Sequence, residues 1–340
     1  MIFLIIGFDY KATPIKAREY IYSIRKELEN FWRGLGVKVV TLTTCNRIEL
    51  YLVFHDVSIY FDSIGLFYYR FGWILKTAYF RFGLHDMVRH VLRLSCGLES
   101  QLIGEGEILA QLYSWIKQES FPAMLREIFY EAIGSGESIR IRSGLNESRE
   151  DISSFIFKDI TEHLDISTKK DIVIVGTGKI AQLFSKSKPL WCDLCFVSRK
   201  KHKKARHLAR ISGGKAITLD DIENLLLKAD ILVSATASPH FVFKAERLAG
   251  ISKKRDGPLY IYDMAMPRDV EPSSRDVERI FLKDISGLEP FFKKYREENI
   301  CNINIAGSFI DEYVDRFRGE SDGCLHKSWD SSELIGIKTG

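Results

Sequence analysis

The stretch DIVIVGTGKIA, residues 171–181, is the strongest indication of how the second half of this chain of 340 residues folds. It opens with the apolar pattern of a buried strand, and a helical pattern begins near Lys179. Glycine at 176 and 178 lets the turn close and lets a pyrophosphate approach the backbone, while a helix N-terminus supplies unpaired N–H groups. Ala181 stands where such motifs often carry a third glycine, an accepted variant. The stretch therefore predicts a dinucleotide-binding turn, made by Gly176, Thr177, Gly178, Lys179, Ile180 and Ala181.

Strand and helix patterns alternate from this turn onward. In chain order they are strand 172–175, helix 180–187, strand 194–197, helix 203–211, helix 222–227, strand 231–234 and strand 259–264. Such alternation predicts a doubly wound parallel sheet with crossover helices. We place this nucleotide-binding domain at residues 150–286.

The segment after the second strand pattern bears on the choice of cofactor. NAD-preferring sites usually carry an acidic residue about 20 positions after the turn, but this chain has Ser198-Arg199-Lys200-Lys201. Because a guanidinium there would pair with a 2′-phosphate, we predict NADPH as the cofactor, with Ser198 and Arg199 among its ligands. A solvated basic loop is the alternative.

The first half of the chain mixes short strand patterns at residues 2–6, 37–42 and 48–54 with a helical pattern at 15–32. This mixture predicts an α+β catalytic domain, which we place at residues 1–145, before a basic, Gly/Asn/Ser-containing boundary segment. Apolar positions at helical spacing over 86–118 are interrupted by glycines at 97, 104 and 106. Two helices are therefore expected to meet at a glycine corner.

The terminal region, residues 287–340, carries apolar positions at helical spacing over 291–317. This pattern predicts one long amphipathic helix, which either packs back on the chain or meets a partner. The tail from Gly319 is polar and expected to be loosely ordered. The fold class is therefore α/β multidomain: an α+β domain, a doubly wound parallel-sheet domain and a long C-terminal helix.

Composition excludes little. The net charge of +4 is too mild to indicate nucleic-acid binding by itself. Six cysteines and a short apolar opening that reads as a strand fit reduced thiols in a cytoplasmic protein. Cys192 and Cys195 have no second ligand pair nearby, so we expect structural thiols and no metal site. No stretch is long enough to span a membrane, and we interpret the aromatic segment 64–84 as a helix face packed into the core and not as a membrane-surface helix.

A second candidate site is TTCNRIE, residues 43–49, between two apolar strand patterns. An isolated cysteine is more often a buried core residue than a nucleophile. Here Arg47 follows Cys45 by two residues, and a neighbouring guanidinium can stabilise a thiolate. The neutral side chains of Thr44 and Asn46 would suit a polar substrate.

Polar side chains also stand among apolar ones around the glycine corner. They are His90, Ser100, Glu105, Glu107 and Gln111, with Gly106 between the two glutamates. The pattern fits a pocket rim, and it fits helix capping and surface placement equally well. Periodicity does not decide between them.

Four strings together resemble the glutamyl-tRNA reductase family. They are Thr-Cys-Asn-Arg-x-Glu at 44–49, His-x6-Gly-Leu-Glu-Ser-x3-Gly-Glu-x-x-Ile-x-x-Gln at 90–111, the Gly-Thr-Gly turn at 176–178, and Asp-Met-Ala-Met-Pro-Arg-Asp at 263–269. Their order and spacing match over about residues 1–317. By position, the resemblance implies that Cys45 is the nucleophile and that His90 is the family's functionally important histidine. It implies glutamyl-binding positions at Thr44, Cys45, Asn46, Arg47, Ser100, Glu105, Gly106, Glu107 and Gln111.

The implied activity is NADPH-dependent reduction of glutamyl-tRNA(Glu) to glutamate-1-semialdehyde through a cysteine thioester, the first step of tetrapyrrole (porphyrin, haem) synthesis by the five-carbon route. Arg47 would hold the substrate through charged hydrogen bonds. The resemblance also implies a homodimer through the C-terminal helix and a glutamate-1-semialdehyde aminomutase that takes over the product.

The chain departs from the family pattern in three places. Tyr10 replaces the histidine of an early Gly-x-Asn-His string, the segment 143–151 lacks the usual small residues, and the C-terminal region is much shorter. Two alternatives stay open: an NADP-dependent dehydrogenase of a free small carbonyl compound with a structural Cys45, and a noncatalytic relative that binds tRNA.

Overall fold

The first part of the chain forms one sheet with helices on both of its faces. A computed structural model describes residues 1–146, 150–199 and 202–325, with the backbone alone for 202 and 320–325. The elements of this part are β1 (Ile2–Asp9), α1 (Ile15–Gly34), β2 (Lys38–Thr43), β3 (Arg47–Phe54), α2 (Val57–Phe71), β4 (Tyr79–Phe82), α3 (Gly83–Ser95), α4 (Glu107–Ile116) and α5 (Ala123–Arg142). The strands and the helix predicted up to residue 54 are confirmed, with ends that differ by a few residues.

Within the described ranges, this sheet is antiparallel and has the order β2-β3-β1-β4. β3 is buried along its whole length because its alternate side chains face two helical layers. Ile48 and Leu50 join the apolar cluster with α1 and α2, whereas Tyr51 joins the cluster with α3, α4 and α5. Arg47 and Glu49 share the face of Tyr51, so two charged side chains point into a helical layer.

A glycine corner joins α3 to α4, as the sequence predicts. Gly97 (φ 74°) and Gly104 (φ 75°) adopt the left-handed conformation, which favours glycine. A Cβ on Gly97 would lie 2.9 Å from the Cα of Gly104, so the close approach also requires glycine. Arg47 donates a hydrogen bond to the carbonyl oxygen of Glu99, which holds the corner over the start of β3.

The second part of the chain forms a parallel sheet. Its elements are α6 (Ile152–His163), β5 (Lys170–Val175), α7 (Lys179–Lys186), β6 (Cys192–Ser198), α8 (His202–Ser212), β7 (Lys215–Thr218), α9 (Ile222–Leu226), β8 (Ile231–Ser234), α10 (Ala245–Ser252), β9 (Leu259–Asp263) and β10 (Ile280–Asp284). In the described chain the strand order is β7-β6-β5-β8-β9-β10, and neighbouring strands are parallel. The predicted doubly wound sheet is confirmed, although β7, α10 and β10 were not anticipated.

Two details of this part bear on earlier expectations. Cys192 and Cys195 are buried and lie three residues apart in β6, so their side chains face opposite sides of the sheet. This placement fits structural thiols. The segment 143–151, where the chain departs from the family, includes residues 147–149, which lie outside the described residues.

The chain ends in two helices, α11 (Glu289–Glu298) and α12 (Ile300–Leu325). The predicted long C-terminal helix is confirmed, but the helical run is interrupted at Asn299, whose side chain donates to the carbonyl oxygen of Tyr295 (2.9 Å). The helix also continues beyond 317 into the predicted loose tail, of which residues 326–340 lie outside the described residues. α12 packs back on α3 and α5 and buries Ile310 and Val314 there. Of the two placements left open by the sequence, the described part of α12 adopts the intramolecular one.

The aromatic segment 64–84 was interpreted wrongly as a single helical face. α2 ends at Phe71, and β4 begins at Tyr79. α2 does bury Phe67 and Phe71 in the core, but Tyr69 on its outer face is 91% exposed. Among the described residues, no helix combines the length and apolar character needed to cross a membrane.

Candidate active site

Cys45 lies in the short loop between β2 and β3. The loop is closed by the Thr44 N–H, which donates to the carbonyl oxygen of Arg47 (2.9 Å). The N–H of Tyr10 donates to the carbonyl oxygen of Asn46 (3.0 Å) and ties the loop to the residue that follows β1. Because the Cys45 side chain is exposed, an electrophile can reach the sulfur.

Cys45 is exposed as a residue, but neighbouring protein atoms still desolvate its thiol. Burial and the carboxylate of Glu105 together raise the pKa of the Cys45 thiol to about 11, against the lowering effects of Arg18 and Arg47. The effect expected of Arg47 therefore has the predicted direction, but it is outweighed. At neutral pH the sulfur is protonated, and a proton must leave during nucleophilic attack.

A buried carboxylate organises the side chains on the inner face of β3. Glu49 is 0% exposed and accepts hydrogen bonds from Arg47 (2.7 Å), Tyr51 (2.8 Å) and Tyr79 (2.6 Å). Nε2 of His90 lies 3.1 Å from Oε1 of Glu49. Burial would raise the pKa of Glu49, but His90 and Arg47 hold it well below its usual range. Glu49 is therefore ionised and balances the charge of Arg47.

The same contacts define where Arg47 and His90 stand. Arg47 is 2% exposed, and its guanidinium is divided between Glu49 and the carbonyl oxygen of Glu99. His90 is also buried, and its Nε2 faces Glu49 and the Tyr79 hydroxyl. These contacts support a positioning role for both side chains, while their direct action on a substrate stays a prediction.

Gly7 makes room for Tyr79 to reach this network. The two residues face each other across β1 and β4, and Gly7 faces Glu49 across β1 and β3. A Cβ on Gly7 would lie 2.1 Å from Cζ of Tyr79. The tyrosine ring therefore passes over Gly7 to Glu49, and a side chain at residue 7 would block it.

Polar groups around the corner are partly engaged and partly free. The hydroxyl of Tyr10 donates to the carbonyl oxygen of Ser100 (3.2 Å) and accepts from Arg296 of α11 (3.3 Å), so the residue that departs from the family bridges the corner and α11. Asn46 Oδ1 and Gln101 Oε1 are buried and have no hydrogen-bond partner among the described residues. Buried acceptors of this kind are rare, and they suit a polar ligand.

Glu105 and Glu107 connect the surroundings of the Cys45 thiol with the second sheet. Burial and the neighbouring Glu107 raise the pKa of Glu105 to about 7, so its charge changes near neutrality. Glu107, the first residue of α4, forms an ion pair with Lys179, the first residue of α7. Gly106 is exposed between them, and Gln111 is exposed one turn along α4. The corner predicted to bind substrate thus contacts the predicted dinucleotide turn.

That turn lies at the carboxyl end of β5, where the strand order reverses, which is the usual ligand site of such sheets. Gly176 has φ 114°, and a Cβ there would lie 2.4 Å from the carbonyl oxygen of Ala235. Gly178 is the N-cap residue of α7. Ala181 is buried against the sheet, as the third position of the motif requires.

The end of β6 offers two further groups for a dinucleotide. Val197 pairs with Val175, so Ser198 and Arg199 lie at the same edge as the turn. The Ser198 hydroxyl is buried and has no partner in the described part of the chain, whereas Arg199 is exposed. An orphaned hydroxyl and an exposed cation fit a ribose and its phosphate, so the residues present fit a nicotinamide dinucleotide. Residues 200 and 201 of the predicted basic loop lie outside the described residues.

The sequence interpretation missed Arg18 and the carboxylate of Glu99. Arg18 is 3% exposed and donates to the carbonyl oxygen of Cys45 (3.2 Å). Burial would raise the pKa of Glu99, but its ion pairs with Lys11 and Arg93 lower it to about 2. A signal for Arg18 was available, because the residue falls on the buried stripe of α1 with Ile21.

Two family models match the chain. Residues 6–143 match the family described as Glutamyl-tRNAGlu reductase, N-terminal domain. Residues 158–291 match the family described as Shikimate / quinate 5-dehydrogenase. The second sheet is therefore a nucleotide-binding domain of the dehydrogenase type.

Curated relatives align with nearly the whole chain. A glutamyl-tRNA reductase of Methanococcoides burtonii is 29% identical over 87% of this chain and 73% of its own length. One of Bacillus subtilis is 28% identical over 93% of this chain and 72% of its own length. A solved glutamyl-tRNA reductase of Methanopyrus kandleri is 25% identical, covers 95% of this chain and 81% of its own, and superposes with a TM-score of 0.47.

Proposed function

The chain belongs to the glutamyl-tRNA reductase family, and on that premise we propose that it reduces glutamyl-tRNA(Glu) to glutamate-1-semialdehyde with NADPH. This oxidoreductase reaction on an acyl group is the first step of tetrapyrrole synthesis by the five-carbon route. The observation that carries the proposal is the exposed Cys45, whose thiol is close enough to the Glu105 carboxylate for its pKa to be affected, while the neighbouring Glu107 forms an ion pair with Lys179 of the dinucleotide turn.

Acyl transfer comes first. The sulfur of Cys45 attacks the carbonyl carbon of the ester that joins glutamate to the tRNA ribose. The C–S bond forms, the C–O bond breaks, and tRNA leaves with its hydroxyl protonated, so that a thioester remains on the enzyme. Glu105, with its pKa near 7, is suited to take the thiol proton and pass it to the leaving oxygen.

Reduction comes second. When bound, NADPH supplies the hydride. The carbonyl carbon of the Cys45 thioester accepts it more readily than an ester would, and collapse of the thiohemiacetal releases the aldehyde and restores the sulfur. The turn at residues 176–181 would hold the pyrophosphate, and Ser198 with Arg199 would hold the ribose and its 2′-phosphate, which favours NADPH over NADH.

Substrate binding uses the groups that the fold leaves free. Asn46 Oδ1 and Gln101 Oε1 are buried acceptors suited to the ammonium group of the glutamyl residue. Thr44, Arg47, Ser100 and Gln111 stay proposed glutamyl contacts, of which Arg47 would have to share its guanidinium with Glu49.

The decisive experiment is acyl trapping. Protein is incubated with glutamyl-tRNA labelled in the amino acid, without NADPH, and peptides are analysed for label. We expect label on Cys45 in the wild type and none in Cys45→Ser. Cys301→Ser is the matched control, because Cys301 is a second exposed thiol, on α12, and its loss should leave the label in place. A Cys45→Ser variant that makes the aldehyde at the wild-type rate would contradict the proposal.

The family matches do not favour the two alternatives, a dehydrogenase of a free carbonyl compound and a noncatalytic tRNA-binding relative. We also propose a cytoplasmic location and transfer of the aldehyde to a glutamate-1-semialdehyde aminomutase. A homodimer through α12 would have to use the outer face, where Ile300 and Ile305 are exposed, because the inner face packs on α3 and α5.

A further inference from the structure

The loop at residues 263–269 leaves the nucleotide-binding sheet after β9, and both of its ends are fixed by buried carboxylates. Asp263 accepts a hydrogen bond from the N–H of Val270 (2.9 Å). Asp269 accepts one from the N–H of Thr236 (2.8 Å). Both carboxylates are almost fully buried, so the loop is a fixed projection of the sheet and not a loose connection.

The same loop is held against the dinucleotide turn. Thr236 follows Ala235, whose N–H donates to the carbonyl oxygen of Val175 at the end of β5 (2.9 Å). The carbonyl oxygen of Ala235 is the atom that Gly176 approaches too closely to allow a Cβ. Thr236 and the loop that it anchors are therefore attached to the strand end and the turn that would hold the dinucleotide.

The tip of the loop docks on α1 of the first sheet. Arg268 donates to the carboxylate of Glu19 through Nε (2.8 Å), Nη2 (2.6 Å) and its backbone N–H (2.8 Å). Both side chains are largely shielded from water, with exposures of 11% and 17%. Met266 Sδ lies 3.7 Å from Nη1 of Arg18. The tip thus contacts two consecutive residues of α1, Arg18 and Glu19. The bidentate pairing of Arg268 with Glu19 fixes its orientation.

Arg18 in turn holds the loop of the nucleophile. Its Nη1 donates to the carbonyl oxygen of Cys45 (3.2 Å), and its Nε donates to that of Thr13 (3.2 Å). Continuous contacts therefore run from the dinucleotide turn through residues 236, 269, 268 and 19 to Arg18, the neighbour of Glu19 in α1, and from Arg18 to the backbone of Cys45.

On the basis of the proposed function, we propose that Arg18 is a positioning residue for Cys45. In the same proposal, the Glu19–Arg268 ion pair aligns the Cys45 thioester with the nucleotide-binding sheet for hydride transfer. Acyl transfer needs the sulfur placed against the tRNA ester, and this depends on Arg18. Hydride transfer needs the thioester carbonyl placed against the cofactor, a geometry sensitive to displacements of about 1 Å. Breaking the ion pair should therefore impair the second step more than the first.

A misaligned thioester has an alternative fate. Water attacks its carbonyl carbon, the C–S bond breaks, the proton returns to sulfur, and glutamate is released instead of the aldehyde. The ratio of semialdehyde to glutamate formed from a given amount of acylated protein therefore measures the alignment. This ratio does not depend on how much of a variant is folded.

The test is a two-step single-turnover experiment. The full-length protein is acylated with labelled glutamyl-tRNA, the rate of Cys45 labelling is recorded, and NADPH is then added to measure the two products. For Arg268→Gln and Glu19→Gln we expect labelling to slow by less than about threefold and the semialdehyde-to-glutamate ratio to fall by about fivefold or more. Glu19→Arg combined with Arg268→Glu should recover at least about half of the wild-type ratio.

Arg18→Lys should act on the other step. We expect labelling to slow by about tenfold, because the single nitrogen of an ammonium cannot occupy the two positions from which Nε and Nη1 of Arg18 donate. The matched control is Arg247→Gln, which breaks an ion pair between α10 and Glu223 of α9, elsewhere in the nucleotide-binding domain, and should change neither quantity.

The outcomes separate the two proposals. If the wild type acquires no label on Cys45 and forms no semialdehyde, the proposed function fails. If the wild type does both, but Arg268→Gln and Glu19→Gln keep the wild-type product ratio, or Arg18→Lys is labelled at the wild-type rate, the positioning proposal is overturned.

Discussion

Glu49 of β3 and Ser198 of β6 are both buried polar side chains near the candidate site, but they differ in their hydrogen-bond partners. The Glu49 carboxylate is surrounded by Arg47, Tyr51, Tyr79 and His90. The Ser198 hydroxyl has no partner in the part of the chain that is described. The first sheet therefore pairs its buried charges within the protein, whereas the edge of the second sheet leaves polar groups available to a ligand.

The largest effect on stability is expected from Glu49→Gln. The substitution leaves the Arg47 guanidinium buried without its counter-charge, and removing one partner of a buried pair typically costs about 3–5 kcal/mol. Urea unfolding should show a loss of this size. Glu27→Gln is the control, because it breaks an exposed pair with Arg70 that should contribute about 0–1 kcal/mol. Equal losses in both variants would mean that the network does not hold the fold.

Gly7→Ala tests the same network through its geometry. The added methyl group meets the Tyr79 ring, which must leave Glu49, and overpacking of this kind costs about 1–3 kcal/mol. Thermal unfolding measures the change. Gly65→Ala, in α2, where no described atom outside the neighbouring helix backbone lies within 4 Å of the added Cβ, should instead be neutral or stabilise by up to about 1 kcal/mol. If both alanine variants unfold alike, Tyr79 is not confined as described.

Ser198→Ala probes the other side of the comparison. Since its hydroxyl has no described partner, its loss should leave the unfolding free energy unchanged within about 0.5 kcal/mol, while KM for the proposed cofactor, NADPH, should rise by about two- to tenfold through one lost hydrogen bond. Ser185→Ala should lower the unfolding free energy and leave KM unchanged, because the buried Ser185 hydroxyl donates to the carbonyl oxygen of Gln182. A KM that is the same in Ser198→Ala and wild type would remove Ser198 from the cofactor site.

The smallest effect is expected at Glu105, which lies on the glycine corner between the two sheets, and it concerns the reactivity of the Cys45 thiol. Its carboxylate raises the pKa of the Cys45 thiol, and this effect is present above pH 7 and lost as pH falls through the Glu105 pKa of about 7. Glu105→Gln should therefore speed iodoacetamide alkylation of Cys45 by about two- to fivefold at pH 8 and leave it unchanged at pH 6. Mass spectrometry of the Cys45 peptide gives the rate, with Cys301 as internal reference. A difference that is equal at both pH values would exclude charge as the cause.

The sequence alone could predict those parts of the fold that depend on patterns of consecutive residues. The strand, the glycine turn and the start of α7 lie within 171–181, and each follows from local patterns. β4 could not be found in this way, because Tyr79–Phe82 stands inside an aromatic run and pairs with β1, far earlier in the chain. The break at Asn299 has no proline or glycine to mark it and became visible only with the helix ends in place.

The site shows the same division. Cys45, Glu105 and Glu107 were predicted from short strings, but the effect of Glu105 on the Cys45 thiol and the pairing of Glu107 with Lys179 depend on a fold that the strings do not describe. The pairing of Arg47 with Glu49 could have been inferred, because charges two residues apart in a buried strand share one face. The contact of Glu19 with Arg268 joins residues from separate sheets, and no local pattern contains it.

The return of α12 to α3 and α5 has a consequence for synthesis on the ribosome. The outer layer of the first sheet is completed by residues 306–314, which are made only after every strand of the second sheet. The half of the molecule that emerges first is thus finished last, and until then the faces of α3 and α5 that receive Ile310 and Val314 are uncovered. Newly made chains should depend on chaperones longest at that surface, a feature of contacts that span most of the sequence.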